Sequence, residues 1–188
     1  MLNFYENVDQ DVKINVGNKA FANQGLSLKS DYLYLLTDLF NSGVETVNFR
    51  NSPQTARKIN NYVDDVTNGL IKRIVEPNSF DALTRLVLIN AIYFKANWRY
   101  KFNERQTRSM KFNVRNGLEV NYPHGMNMIQ NLRYTDLTRT GFPARVLELP
   151  YENENFRMLL ILPNNNINIE NLNLRNLDYG NLESRLRM

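Results

Sequence analysis

A mixed α+β fold is what this sequence predicts, and three stretches predict it. Residues 12–16 alternate the apolar Val12, Ile14 and Val16 with Lys13 and Asn15, the two-residue period of a strand with one buried face. Residues 53–67 place Ala56, Ile59, Val63 and Val66 on one narrow helical stripe. Residues 83–95 (LTRLVLINAIYFK) run apolar without alternating, as a strand covered on both faces does.

The first strand extends over 12–22 and closes at Gly25. A helix follows over 28–40, where Leu28, Tyr32, Leu35, Leu36 and Leu39 recur at steps of three and four. Ser27 or Ser30 can cap its start, and Asn41-Ser42-Gly43 ends it. A short strand occupies 44–49. Ser52-Pro53 then offers a capping hydroxyl followed by a proline at the first helical position. In the helix that follows, Arg57, Lys58, Asp64 and Asp65 turn outward, and Gly69 suits the left-handed residue past its end. The narrow stripe predicts a helix lying across something flat.

Asn90 interrupts the apolar strand. Buried without partners it would cost about 1–3 kcal/mol, so it is either a satisfied structural asparagine or a polar latch where the sheet opens. Downstream, 110–114 and 118–122 flank Asn116-Gly117, a strong two-residue hairpin signal. A second hairpin joins 144–150 to 156–162 through a turn at 152–155. The asparagine-rich tail spaces Ile167, Leu172, Leu174, Leu177, Leu182 and Leu186 as two short helices would. No repeat or composition break divides the chain, so residues 1–188 read as a single domain.

Composition narrows the chemistry. With 188 residues, 43% hydrophobic and 22% charged, the chain has ordinary globular proportions and room for a core. Zero cysteines exclude disulfides, thiolate catalysis and cysteine metal sites. The single histidine, His124, lies between Pro123 and Gly125 in a predicted turn, with no third group to orient it as a base. There is no glycine-rich phosphate loop and no His-Glu-x-x-His pair, and Asp64-Asp65, Glu152 and Glu154 read as solvated carboxylates. No enzyme, metal or cofactor is predicted. The apolar run 86–94 is too short to cross a membrane, and the first residues lack the basic start and apolar stretch of a signal peptide. No glycosylation sequon occurs.

The net charge of +4 is modest, but the cations are uneven. Over 95–115, Lys95, Arg99, Lys101, Arg105, Arg108, Lys111 and Arg115 face a single acid, Glu104. Arg99, Lys101, Arg105, Arg108 and Lys111 are the candidate polyanion contacts, for a sulfated polysaccharide or an acidic protease surface. The alternative is a solvated strand edge where cations discourage pairing. Nucleic acid is disfavoured because no aromatic residues interleave the cations at regular spacing.

Asn90-Ala-Ile-Tyr-Phe-Lys-Ala-Asn-Trp98-Arg-Tyr-Lys-Phe102 resembles the serpin pattern along and just beyond the third strand of sheet A. Arg145-Val-Leu-Glu-Leu-Pro-Tyr151 with Met158-Leu-Leu-Ile-Leu-Pro163 is similar to that family's paired sheet-B strands. Ile59-Asn-Asn-Tyr-Val63 with Thr67-Asn-Gly69 resembles the helix lying across sheet A. The resemblance implies a partial serpin fold: 12–22, 44–49 and 83–95 as the second, first and third strands of sheet A, with two helices beside and across them. The pieces after Met110 would belong to sheets C and B.

The resemblance also implies inhibition of a serine, or sometimes cysteine, protease by conformational trapping. A bait loop is cleaved, inserts into sheet A and distorts the acyl-enzyme. It places Asn90 at the shutter where the sheet parts, Trp98 at the breach where insertion starts, and Phe102 packing nearby. Family chains are about twice this length, so the sequence reads as a fragment without the reactive loop, or else as a truncated binding module. An extracellular protein is implied, with a cytoplasmic one as the alternative. Without later strands, 86–94 would be a long hydrophobic edge, which predicts self-association.

Overall fold

The computed structural model describes residues 12–114, 118–164 and 167–186. Its contacts form two compact units, Met1–Lys95 and Ala96–Met188.

In the first unit, strand β1 (Val12–Asn23) leads to helix α1 (Ser30–Tyr34), which widens into a π-turn (Leu35–Leu39). Strand β2 (Gly43–Val47), helix α2 (Ser52–Val66) and strand β3 (Leu86–Ala96) follow. The sheet order is β2-β1-β3. β1 and β2 are parallel, with Phe21 opposite Glu45, so the intervening helical segment serves as the crossover such a pair requires.

Helix α2 covers one face of this sheet, as the narrow stripe predicted. Its Ile59 and Val63 pack with Phe21, Val47, Phe49, Ile89 and Ala91. The cap differs from the expectation. Asn51 Oδ1 accepts from the Gln54 amide at 3.4 Å, while Ser52 Oγ accepts from the Phe80 amide at 3.0 Å. The longer asparagine, one residue earlier, reaches the third helical amide, and the serine hydroxyl holds the returning chain instead. Past the helix end, Asn68 (φ 50°) and Gly69 (φ 80°) both turn left-handed. Asn60 then straps the chain back over α2: its Oδ1 accepts from the Ile74 and Val75 amides and its Nδ2 donates to Val75 O.

Three expectations for this unit are corrected. Of the alternating residues expected on the buried face of β1, Val12 is buried and Ile14 half-buried, but Val16 is exposed. Helix α2 crosses β1 at Gly17, where a Cβ would stand 2.5 Å from Val66 Cγ2, and Asn15 Nδ2 donates to Val66 O. The odd-numbered residues therefore face the helix there. Secondly, neither Ser27 nor Ser30 caps the first helix. Lys29 holds that position without a side-chain bond, and of the predicted stripe only Leu36 is buried. Thirdly, β3 is covered on one face only. Ile89, Ala91 and Tyr93 are buried, while Leu88 and Ile92 are 58% and 61% exposed. The cause is position: β3 is the outer strand of its sheet, and α2 lies on one side of it.

In the second unit, β4 (Arg108–Asn113) and β5 (Glu119–Gly125) form the predicted hairpin, with Met110 opposite Tyr122 and Phe112 opposite Val120. The turn itself, with Arg115 and Asn116-Gly117, falls outside the described residues. His124 lies on β5 and not in a turn, because pairing continues to Gly125. Strands β6 (Tyr134–Asp136), β7 (Ala144–Pro150) and β8 (Arg157–Pro163) make an antiparallel meander. The tail folds as two 3-10 turns and helix α3 (Tyr179–Arg185), not as two helices. Asn168, Asn173 and Asp178 each cap one of these pieces, which explains the asparagine richness. Leu177, Leu182 and Leu186 close a core with Leu137, Phe142, Ala144 and Val146. Among the described residues no helix is long and apolar enough to cross a membrane.

Candidate functional site

In the first unit the candidate site is the outer strand β3. Its odd residues are held down by α2, so Leu88, Asn90, Ile92 and Phe94 line the opposite, exposed face. Asn90 is exposed rather than buried, yet partnered: Nδ2 donates to Asn18 Oδ1 on β1 at 2.7 Å. Asn18 Nδ2 donates in turn to Phe40 O at 2.9 Å. The result is a polar relay from β3 through β1 to the end of the π-turn. Asn18 escaped the sequence reading because 72 residues separate it from Asn90 and nothing local marks the pair.

The other face is clamped by charge. Lys19 Nζ and Lys58 Nζ lie 2.6 and 2.8 Å from the Glu45 carboxylate, joining β1, β2 and α2. Hydrogen bonding from Lys19, and then from Lys58, holds the Glu45 carboxyl below the usual carboxylate range. Lys19 Nζ also stands 5.3 Å from the Phe21 ring centre and 5.0 Å from that of Tyr62. Burial raises the Tyr62 phenol above its ordinary value.

In the second unit, Trp98 stacks on Tyr151 with ring centres 4.4 Å apart and planes 10° from parallel. The backbone reinforces the stack, since Arg99 N donates to Pro150 O and Glu152 N to Asn97 O. Trp98 and Phe102 line one shallow cleft together with Tyr100, Met128, Leu149 and Pro150. The two are thus neighbours. Tyr151 was read from the sequence only as part of a strand.

The same folding neutralises much of the basic stretch. Arg99 pairs with Glu154 at 2.6 Å, Lys101 with Glu152 at 3.1 Å and Lys111 with Glu119 at 2.8 Å. The lone acid counted in sequence is joined by three from distant segments, because β5 and the turn after β7 bring carboxylates alongside. Lys101 holds the Glu152 carboxyl below its usual range. Arg105 and Arg108 are exposed. No group of three metal-ligating side chains occurs among the described residues.

A family model described as "Serpin (serine protease inhibitor)" matches residues 1–187. The chain belongs to the serpin family. It is 33% identical to human Serpin I2 over 161 residues, covering 86% of this chain and 40% of that protein. It is 35% identical to Alaserpin of Manduca sexta over 153 residues, covering 81% and 38%. Among solved structures, cleaved Serpin 42Da superposes with a TM-score of 0.76 at 34% identity, covering 96% of this chain and 48% of that one. Emu ovalbumin superposes with a TM-score of 0.70 at 26% identity, covering 84% and 40%.

This serpin chain therefore spans about two fifths of the length of the curated relatives it matches, as a partial serpin domain. Its three sheets and few helices are those of the family. The description of that family names serine protease inhibition as the family's activity.

Proposed function

We propose that this chain is the sheet-A and sheet-B section of a serpin-type serine protease inhibitor that works by suicide trapping, with cysteine proteases as a further target class. In this reading the full-length protein offers a reactive loop encoded beyond these residues. Cleavage leaves the protease as an acyl-enzyme, and the freed loop adds to the open edge of β3. The observation that carries the reading is that edge: β3 is outermost in β2-β1-β3, and Asn90 is tied to Asn18 by a side-chain bond. That bond, worth about 0.5–1.5 kcal/mol net, helps hold β3 to β1 while the loop adds at the opposite edge. In this reading Asn90 acts as the shutter and Trp98 stands at the breach, with Phe102 packing nearby. The protein acts outside the cell in this reading.

The test is to read the transcript on both sides of this frame, then to mix the complete product with serine proteases. A loop with small hinge residues and a denaturant-stable complex at the summed mass supports trapping. A frame that stops directly after Met188 defeats it.

A second reading, a binding module for sulfated polysaccharide, rests on exposed Arg105 and Arg108 beside the paired Arg99, Lys101 and Lys111. Replacing Arg105 and Arg108 with alanine then lowers the salt needed to elute the protein from a sulfated-polysaccharide resin. Unchanged elution removes this reading.

A further inference from the structure

A seven-residue helix such as α3 is too short to persist by itself, so its attachment decides whether it exists. Leu182 and Leu186 supply the apolar part of that attachment. The polar part converges on one side chain. Arg133 Nη1 lies 3.1 Å from Glu148 Oε2 on β7 and 2.7 Å from Glu183 Oε1 on α3. Its Nη2 donates to the carbonyls of Glu183 at 2.9 Å and Leu186 at 3.4 Å, among the last carbonyls that a helix leaves unmade.

The anchor is stiff. The Arg133 carbonyl accepts from the Glu148 amide at 2.9 Å, and the Glu148 side chain is only 9% exposed. Arg157 on β8 completes the cluster, with Nε 3.6 Å from Glu148 and Nη2 2.5 Å from Glu183. Among the described residues, Arg133 is the side chain that holds both the buried carboxylate and the helix-end carbonyls.

We propose that Arg133 is a releasable latch: α3 undocks from the β6-β7-β8 sheet as a unit when this guanidinium lets go, and the sheet stays folded. The asymmetry of the contacts supports it. The sheet side is pinned by a backbone bond and a buried acid, whereas the helix side is one exposed carboxylate, shared with the half-exposed Arg157, and two carbonyls that Arg133 holds. Opening at that weaker side uncovers the Leu137, Phe142 and Val146 surface without breaking a strand pair. A lysine cannot replace the latch, because a point ammonium cannot span the carboxylate and two carbonyls as the planar fork does.

Hydrogen exchange read by mass spectrometry on the full chain tests this. Arg133→Lys, which keeps a cation beside the buried Glu148, is expected to speed exchange in 181–186 about tenfold or more, with exchange in β7 and β8 unchanged. Arg133→Met is expected to do the same in 181–186 with a smaller loss of protection in β7, where Glu148 loses its nearer partner. Should Arg133→Met not fold, Glu183→Gln keeps the buried pair and weakens only the helix side, and it should give the same local pattern at smaller size. Unchanged exchange in α3 overturns the proposal. So does equal loss of protection in α3 and β7–β8, which would make the helix part of the global unfolding unit.

Discussion

Gly17→Ala isolates the contact that lets α2 lie flat on the sheet. The new methyl carbon would stand 2.5 Å from Val66 Cγ2 and 2.6 Å from the Tyr62 hydroxyl oxygen. Ordinary carbon contacts begin near about 3.5 Å, so the helix must lift by about 1 Å over its last turn. Overpacking of this kind costs about 1–3 kcal/mol. Restricting the unfolded chain by removing a glycine offsets about 0.4–1 kcal/mol of that. The net expectation is a loss of about 1–2 kcal/mol. Urea unfolding followed by circular dichroism should show the midpoint fall by about 1 M, given a slope of about 1–2 kcal/mol/M. Exchange across α2 should quicken alongside. The double variant with Val66→Ala should lose less than the sum of the two single changes, because the smaller side chain makes room. An unchanged or higher midpoint for Gly17→Ala, or strict additivity with Val66→Ala, would refute the close crossing of α2 over β1.

Trp98→Ala removes a stack worth about 0.5–1.5 kcal/mol beyond its buried area, so it should destabilise the second unit more than Trp98→Phe does, measured by urea midpoints. For Glu45, the folded carboxyl sits below its unfolded value, so its contribution is present above about pH 4.3 and is lost as pH falls through the folded value. Glu45→Gln should therefore cost under about 1 kcal/mol at neutral pH, discounted for a partly solvated pair, and progressively less as the pH is lowered into the acid range. Leu88→Lys with Ile92→Lys should reduce self-association of the chain in sedimentation, because cations on that open face oppose stacking of a second sheet. Equal association of both proteins counts against β3 as the sticky surface.

Legibility followed the range over which each signal acts. Helix α2 was readable because Ala56, Ile59 and Val63 mark its face within eleven residues of its start, and the β7–β8 hairpin because its turn separates two apolar runs. β6 was not readable: Tyr134-Thr135-Asp136 has no pattern, and only pairing with β7 makes it a strand. The non-alternating apolar run at 83–95 was read as a strand covered twice, whereas a sequence records how a face is composed, not whether a neighbour is present to cover it. The basic stretch misled for a related reason. Glu119, Glu152 and Glu154 lie far along the chain from the cations they neutralise, and only the fold brings them together. Asn90 was singled out on its polarity in an apolar run, and its partner Asn18 had no such mark.

The Asn60 strap bears on the order in which this protein folds during synthesis. Its bonds to Ile74 and Val75 span 14 and 15 residues, so α2 and its return chain can organise as soon as they emerge. β3 must instead find β1 across the bond from the Asn23 amide to Arg85 O, a loop of some sixty residues, and closes last. Until residue 96 is made, the surface awaiting Ile89 and Ala91 stays open to chaperones or to other nascent chains. Truncating Ile59 should accordingly slow refolding, while truncating Ile89 should mainly hasten unfolding.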